Sequence, residues 1–383
     1  MGIRNLDIMK LAIVTLPPRT NYGGILQAYA LQTILIRLGH QVEVLQVQHP
    51  RKLPYRRMPL VYARRLIQKF ILRRSDIRLF EEQWWNKKGT PSMCKYTDQF
   101  LNKYLNLRLI HSINEIKKTD YDGYIVGSDQ VWRKNFFCSA MQTPICDAFL
   151  SFTKDWEVKR IAYAASFGTD TWEYTDEETA QCRLLLQLFD RITVREVSAV
   201  ELCKQNLGAD VAYVLDPTML LTADDYQMLF ERNKTPKSEG NMHCYILDLD
   251  SQKQALIDSI ADERGLTPFN VLKYISYPIR DVTELTLSPV EQWLRAFYDA
   301  EFVVTDSFHA CVFSILFRKQ FVVYGNAYRG MARFSSLLSC FGLEDRLVYS
   351  YEQYKGLAPI DYNVVYPKLN VWRARSLEIL QEI

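Results

Sequence analysis

The feature that most restricts this chain is a repeated unit: a short apolar or β-branched run that ends in polar residues and is followed by a helical stretch. In the first half it recurs at Lys10–Leu16, Tyr121–Val126, Arg160–Ser166, Arg191–Arg195 and Val211–Leu215. The tips that follow are Asn21-Tyr22-Gly23-Gly24, Gly127-Ser128-Asp129-Gln130, Phe167-Gly168, Arg195-Glu196 and Asp216-Pro217-Thr218. Continuous apolar runs of this length are what parallel strands buried on both faces require, and the intervening helices return the chain to the same edge. Ligands of such sheets bind outside the carboxyl ends of the strands. The pattern therefore predicts α/β architecture with a site along one edge.

The second half repeats the unit. Strands are expected at Cys244–Leu249, Phe269–Ile275, Phe302–Thr305 and Gln320–Tyr324, with a helix at Gln252–Arg264. Another helix, ending near Asp299, is expected to start at Ser288-Pro289-Val290-Glu291, read as a capping box with Pro at its first position. The polar stretch Asn233–Asn241 separates the halves. The 383 residues suit two cores of ordinary size. The division reads as 1–232 and 233–363, with 364–383 an amphipathic helix packing back on the first half. Gln41–Val47 reads as a second strand, Ile25–Leu38 as the helix before it, and Trp84–Ile116 as mostly helical. Residues 1–8 read as a loose leader.

Composition excludes several classes. With 48% hydrophobic and 13% aromatic residues the chain is folded rather than disordered, and a net charge of +3 is too small to make nucleic acid the main partner. Eight cysteines lie scattered without metal-ligand spacing, which predicts reduced thiols, no metal and a cytoplasmic protein. The apolar run Leu11–Leu16 is too short for a signal peptide and ends at Pro17-Pro18; no apolar run is long enough to span a bilayer.

One stretch carries the best candidate for chemistry. In Glu301–Phe317, a strand runs into Asp306-Ser307 and a helix that begins near His309. This puts one of only five histidines on a helical first turn, where free N–H groups and the helix dipole favour an anion. The same residues also fit an ordinary cap with a structural histidine. Asn21-Tyr22-Gly23-Gly24 is likewise suited to hold a ligand on backbone amides, although it lacks the G-x-G-x-x-G dinucleotide fingerprint.

Taken together, NYGG-xx-QA-xA (Asn21–Ala30), GSDQVW (Gly127–Trp132), VRE (Val194–Glu196), LDPT (Leu215–Thr218) and TDSFHA (Thr305–Ala310) make the chain resemble the polysaccharide pyruvyl transferases. The resemblance runs from Lys10 to about Leu343. It implies two Rossmann-like domains facing a cleft, as in GT-B glycosyltransferases. It also implies transfer of a pyruvyl group from phosphoenolpyruvate to a sugar hydroxyl pair, with release of phosphate and no further cofactor. The acceptor implied is a hexose such as galactose in a capsular or other surface polysaccharide precursor, lipid-linked in one variant.

By motif, His309 matches the family's histidine, as general acid or phosphate contact. Arg195 would grip the donor's carboxylate or phosphate bidentately or else form a structural salt bridge to Glu196 or a neighbour, and Asp306 is expected either to cap the helix or to orient His309. Asn21, Tyr22, Gly23, Gly24, Ser128, Asp129 and Gln130 are assigned to the acceptor. Many members have a basic residue after the motif's Asp; here it is Ser307, so Arg329 or Arg333 is expected to supply the missing cation to the donor site. A nucleotide-sugar glycosyltransferase and a non-catalytic assembly scaffold are the competing readings.

Pro50–Arg78 has the chain's strangest composition, ten Arg or Lys against one acid, Asp76, interleaved with Leu60, Ile67, Phe70, Ile71 and Leu72. It reads as a basic amphipathic helix, suited to an anionic membrane surface or a phosphate-bearing partner, or else as a plain solvated face; the acceptor that the resemblance implies favours the membrane, peripherally at the inner face of the cytoplasmic membrane.

Overall fold

The computed structural model describes residues 8–275, 278–279, 281–325 and 331–383. Arg329 and residues 1–7 of the expected leader lie outside the described residues.

Seven strands form the first sheet: β1 Lys10–Val14, β2 Gln41–Val47, β3 Leu107–Ile110, β4 Gly123–Gly127, β5 Lys159–Ala165, β6 Arg191–Val194 and β7 Ala212–Tyr213, in the order β3-β2-β1-β4-β5-β6-β7. Every neighbouring pair is parallel. The order reverses between β1 and β4, and the Asn21–Gly24 and Gly127–Gln130 tips leave the sheet beside that reversal.

The second sheet contains β8 Met242–Tyr245, β9 Pro268–Phe269, β10 Phe302–Thr305, β11 Gln320–Tyr324 and β12 Leu347–Val348, in the order β12-β11-β10-β8-β9, again all parallel. Its reversal lies between β8 and β10. The chain is thus two doubly wound α/β units with opposed carboxyl edges: residues after β10 meet residues after β1, β6 and β7.

The seam between the units is packed, not open. The helix Tyr22–Arg37 of the first unit shares one continuous apolar cluster with Trp293, Phe297 and Phe313 of the second. Tyr22 stacks on Trp293 at 5.7 Å and donates its hydroxyl to Ser288 O at 2.8 Å. Burial of side chains this large contributes about 1.5–3 kcal/mol each. The last helix, Tyr362–Gln381, fastens both units. Its Tyr362 donates to Ser314 O at 3.3 Å in the second unit, while Arg373 donates to Met219 O at 2.7 Å and Ser376 accepts from Leu215 N at 3.1 Å in the first.

Several local expectations are corrected. The 84–116 stretch is not helical throughout: β3 is an edge strand whose pattern is broken by Arg108, held outward by Asp120 at 2.7 Å. The Phe269–Ile275 strand shrinks to β9. Ser288 caps no helix, because its hydroxyl donates to Val271 O at 2.7 Å and Pro289 takes the N-cap position of Val290–Asp299.

The basic segment is not one helix. A 3-10 turn, Tyr55–Arg57, leads into the helix Met58–Leu66, which widens into a π turn over Ile67–Ile71. Arg65 turns inward to Glu81 at 3.1 Å and Glu82 at 2.7 Å, acids just beyond the segment.

Candidate active site

The site grows from strand ends. After β6, Arg195 is fully buried, with its terminal nitrogens on Asp216 Oδ2 at 2.7 Å and Asp129 Oδ1 at 3.2 Å. Asp216, just past β7, also accepts from the Ser128 hydroxyl at 3.1 Å, Thr218 N at 3.0 Å and the Thr218 hydroxyl at 2.7 Å. Ser128 and Asp129 reach this cluster through two successive left-handed backbone conformations, φ 24° and 57°. Non-glycine residues rarely adopt these, and such strain persists where the surroundings over-determine it.

His309 enters from the second unit, on the first turn of the helix Phe308–Leu316. It is 6% exposed, and its Nε2 stands 3.7 Å from Asp216 Oδ2. That separation exceeds a hydrogen bond, so Nε2 has none within reach, as do the buried Arg195 Nε and Glu196 Oε2. Buried polar atoms left without partners are rare and point to a ligand or a reacting group.

The imidazole lies flat against Gly23. A Cβ there would sit 2.0 Å from Nδ1, so only glycine admits the ring. Two helix N-termini, those of Tyr22–Arg37 and Phe308–Leu316, therefore converge and bring partial positive charge to one point.

Electrostatics set the protonation states. Burial alone would raise Asp216, but His309 and Arg195 outweigh it and hold the carboxyl far below its usual range. Glu196 behaves oppositely. Burial raises it, although Oε1 accepts from Ser166 Oγ at 2.9 Å, Phe167 N at 2.9 Å and Gly168 N at 3.0 Å. Arg333 is buried as well, stacked over Phe308 at 5.5 Å, while Arg195 contacts the same ring at 4.9 Å. Burial and repulsion from Arg195 push Arg333 down to about 10.

The structure thus gathers His309, Arg195, Asp129, Ser128, Gly23 and Arg333 into one site. Two expectations change. Arg195 places its terminal nitrogens on two neighbouring carboxylates, which makes it a structural brace, and leaves Nε without a partner. Asp306 neither caps the helix through its side chain nor meets His309. Its oxygens accept from Leu247 N at 2.7 Å, Asp248 N at 3.3 Å and Lys253 Nζ at 2.9 Å inside the second unit.

Ser307 holds the N-cap position without a side-chain capping bond. Asn21 caps its own helix by accepting from Gly23 N at 3.1 Å. Gln130 turns to Arg133 at 3.0 Å, and Tyr22 serves the seam. Asn21, Gly24 and Asp129 line a cleft of about 390 Å³ with Gln46, Gln48 and His49. Asp216 is the residue that the motif reading undervalued: LDPT marked it, but nothing local distinguishes a turn former from a histidine's partner.

Among the described residues, no cluster of His, Cys, Asp or Glu is arranged to hold a metal ion. The folded class is that of two-domain GT-B proteins. UGT89C1 of Arabidopsis thaliana, solved complexed with UDP-L-rhamnose, superposes with a TM-score of 0.50 at 10% identity over 98% of each chain. A UDP-GlcNAc 2-epimerase from Neisseria meningitidis gives 0.46 at 10% identity, over 97% of this chain and 93% of that one. Identity this low speaks to fold alone. The sequence profile of the polysaccharide pyruvyl transferases matches residues 21–328, and the chain belongs to that transferase family. No curated protein matches it in sequence.

Proposed function

We propose that the protein transfers the pyruvyl group of phosphoenolpyruvate to two hydroxyls of a sugar, a hexose of a surface polysaccharide precursor, forming a cyclic ketal. The observation that carries this reading is the buried His309, with an uncommitted Nε2 beside Asp216 at the seam of the two units. As general acid it delivers a proton to the enol carbon, and one sugar oxygen bonds to the adjacent carbon. Phosphate then leaves with its bridging oxygen, and the second hydroxyl closes the ring. Of the two hydroxyl protons, one balances that on the new methyl group and one leaves with phosphate. No resident cofactor is required, since the donor carries its own leaving group.

Arg195 has the role of fixing Asp216 and Asp129. The donor's negative charge is met by the two helix N-termini and by Arg333, which fills the place where Ser307 stands instead of a cation. The polar cleft of Asn21, Gly24, Asp129, Gln46, Gln48 and His49 suits sugar hydroxyls.

The test supplies phosphoenolpyruvate with candidate sugars and follows phosphate release together with the mass of the acceptor. His309→Ala is expected to lose about 10²–10⁴-fold in turnover, the range of general acid catalysis. Turnover of a nucleotide sugar without phosphate release from phosphoenolpyruvate, or full activity of His309→Ala, overturns the reading.

A further inference from the structure

A folded monomer seldom leaves large apolar side chains in water on one contiguous face. The segment after β2 does. Leu60 is 79% exposed, Ile67 48%, Phe70 65% and Ile71 72%. Leu60, Ile67 and Ile71 lie seven and then four residues apart, so they align along one side of the helix Met58–Leu66 and its π extension. Arg64 shares that side, whereas Arg65 faces inward to its glutamates.

Beside this ridge is a cleft of about 410 Å³ lined by Lys69, Arg78, Lys87 and Lys88 with Phe80 and Trp84. None of its lining residues is acidic. Arg78 is braced over Trp84 at 4.0 Å and donates to Ile279 O at 3.0 Å, so its charge is held in place.

From this juxtaposition we infer that residues 55–88 are a docking surface for an anionic phospholipid bilayer: the Leu60/Ile67/Phe70/Ile71 ridge enters the acyl boundary and the basic cleft receives a lipid phosphate. An apolar stripe rimmed by cations is the pattern of helices that lie in the interface plane. Charge complementarity selects the partner, because the cations are concentrated here in a chain whose net charge is only +3. Three of the four ridge side chains are aliphatic, and the Trp84 ring of the cleft is already covered by Arg78, which favours lipid over RNA, whose bases call for free stacking aromatics. Among the described residues no helix is long and apolar enough to cross a membrane, so contact at this surface would be peripheral.

The experiment sediments the full chain with vesicles of phosphatidylglycerol mixed with phosphatidylcholine, and with phosphatidylcholine alone. Binding is expected only to the mixed vesicles. Lys69→Gln/Lys87→Gln/Lys88→Gln is expected to weaken it roughly a hundredfold, from the attraction each cation feels near such a surface. Leu60→Ser/Ile67→Ser/Ile71→Ser should also release the protein, and at high salt the wild type should retain more binding than this variant. Equal binding to neutral vesicles, retention on RNA but not on vesicles, or a dimer that the serine variant dissociates without any vesicle binding, each overturns the inference. Circular dichroism melts of both variants separate these outcomes from misfolding.

Discussion

Two buried carboxylates, Asp216 and Asp306, occupy similar places in the two halves, each just past the carboxyl end of a parallel strand and each paired with a buried cation. Their surroundings differ. Asp306 accepts from two backbone amides and Lys253, and that cluster leaves no polar atom of Asp306 or Lys253 without a partner. Around Asp216, His309 Nε2, Arg195 Nε and Glu196 Oε2 are all left unsatisfied. A closed cluster holds a loop together; an open one, at equal burial, is held ready for something else.

Substituting the two carboxylates should give the largest effects and break the comparison most directly. Asp306→Asn should lose about 3–5 kcal/mol of stability, since it strands the Lys253 ammonium, and Asp216→Asn less, since Asp129 still pairs with Arg195. Only Asp216→Asn should also lower kcat, by about 10²-fold or more, and move the alkaline limb of the pH–rate profile, where a general acid loses its proton. Urea melts and pH profiles of both variants, compared where each is folded, check this. Equal kcat losses would erase the distinction.

Next in size is a pair of neighbouring glycines. Gly23→Ala places a methyl group 2.0 Å from His309 Nδ1, whereas Gly24→Ala meets Asp129 Oδ2 at an ordinary 3.4 Å. Displacing a catalytic group by about 1 Å costs on the order of 100-fold. Gly23→Ala should therefore lose about that much turnover with little change in KM, and Gly24→Ala far less.

The smallest effect is on the pH dependence of stability. Asp216 is depressed in the folded state, so its contribution is present above about pH 4, the unfolded carboxyl value, and fades as pH falls toward its lower folded value. Glu196 is raised, so the folded state binds its proton more tightly, and stability drops as pH climbs from about 4.3 through the raised value. Glu196→Gln should remove the second slope and leave the first, read from denaturant midpoints across pH.

Much of the fold was legible in the residues themselves. β10 and β11 coincide with their apolar runs, and β2 with the alternating Gln41–Val47, because strands inside a parallel sheet carry little competing signal. β3 was hidden because an edge strand need not be apolar throughout, and Arg108 interrupts it. His309 was singled out by a strand tip followed by an apolar helix, and the structure buries it on that helix's first turn. Its partner was not: choosing between Asp306, three residues away, and Asp216, ninety-three away, depends on how the units meet, which no local pattern encodes. Gly23 was read as a source of backbone amides, and its second role, making room for a ring from the other unit, is again a long-range fact.

The site is also divided between the units. Gly23, Arg195 and Asp216 belong to the first, His309 to the second, and the helix Tyr362–Gln381 is bonded to both. That strap and the packed seam together hold the imidazole 3.7 Å from its carboxylate. On the proposed reading, the reacting pair exists only where the two halves meet, so its geometry depends on how the seam packs as much as on either sheet.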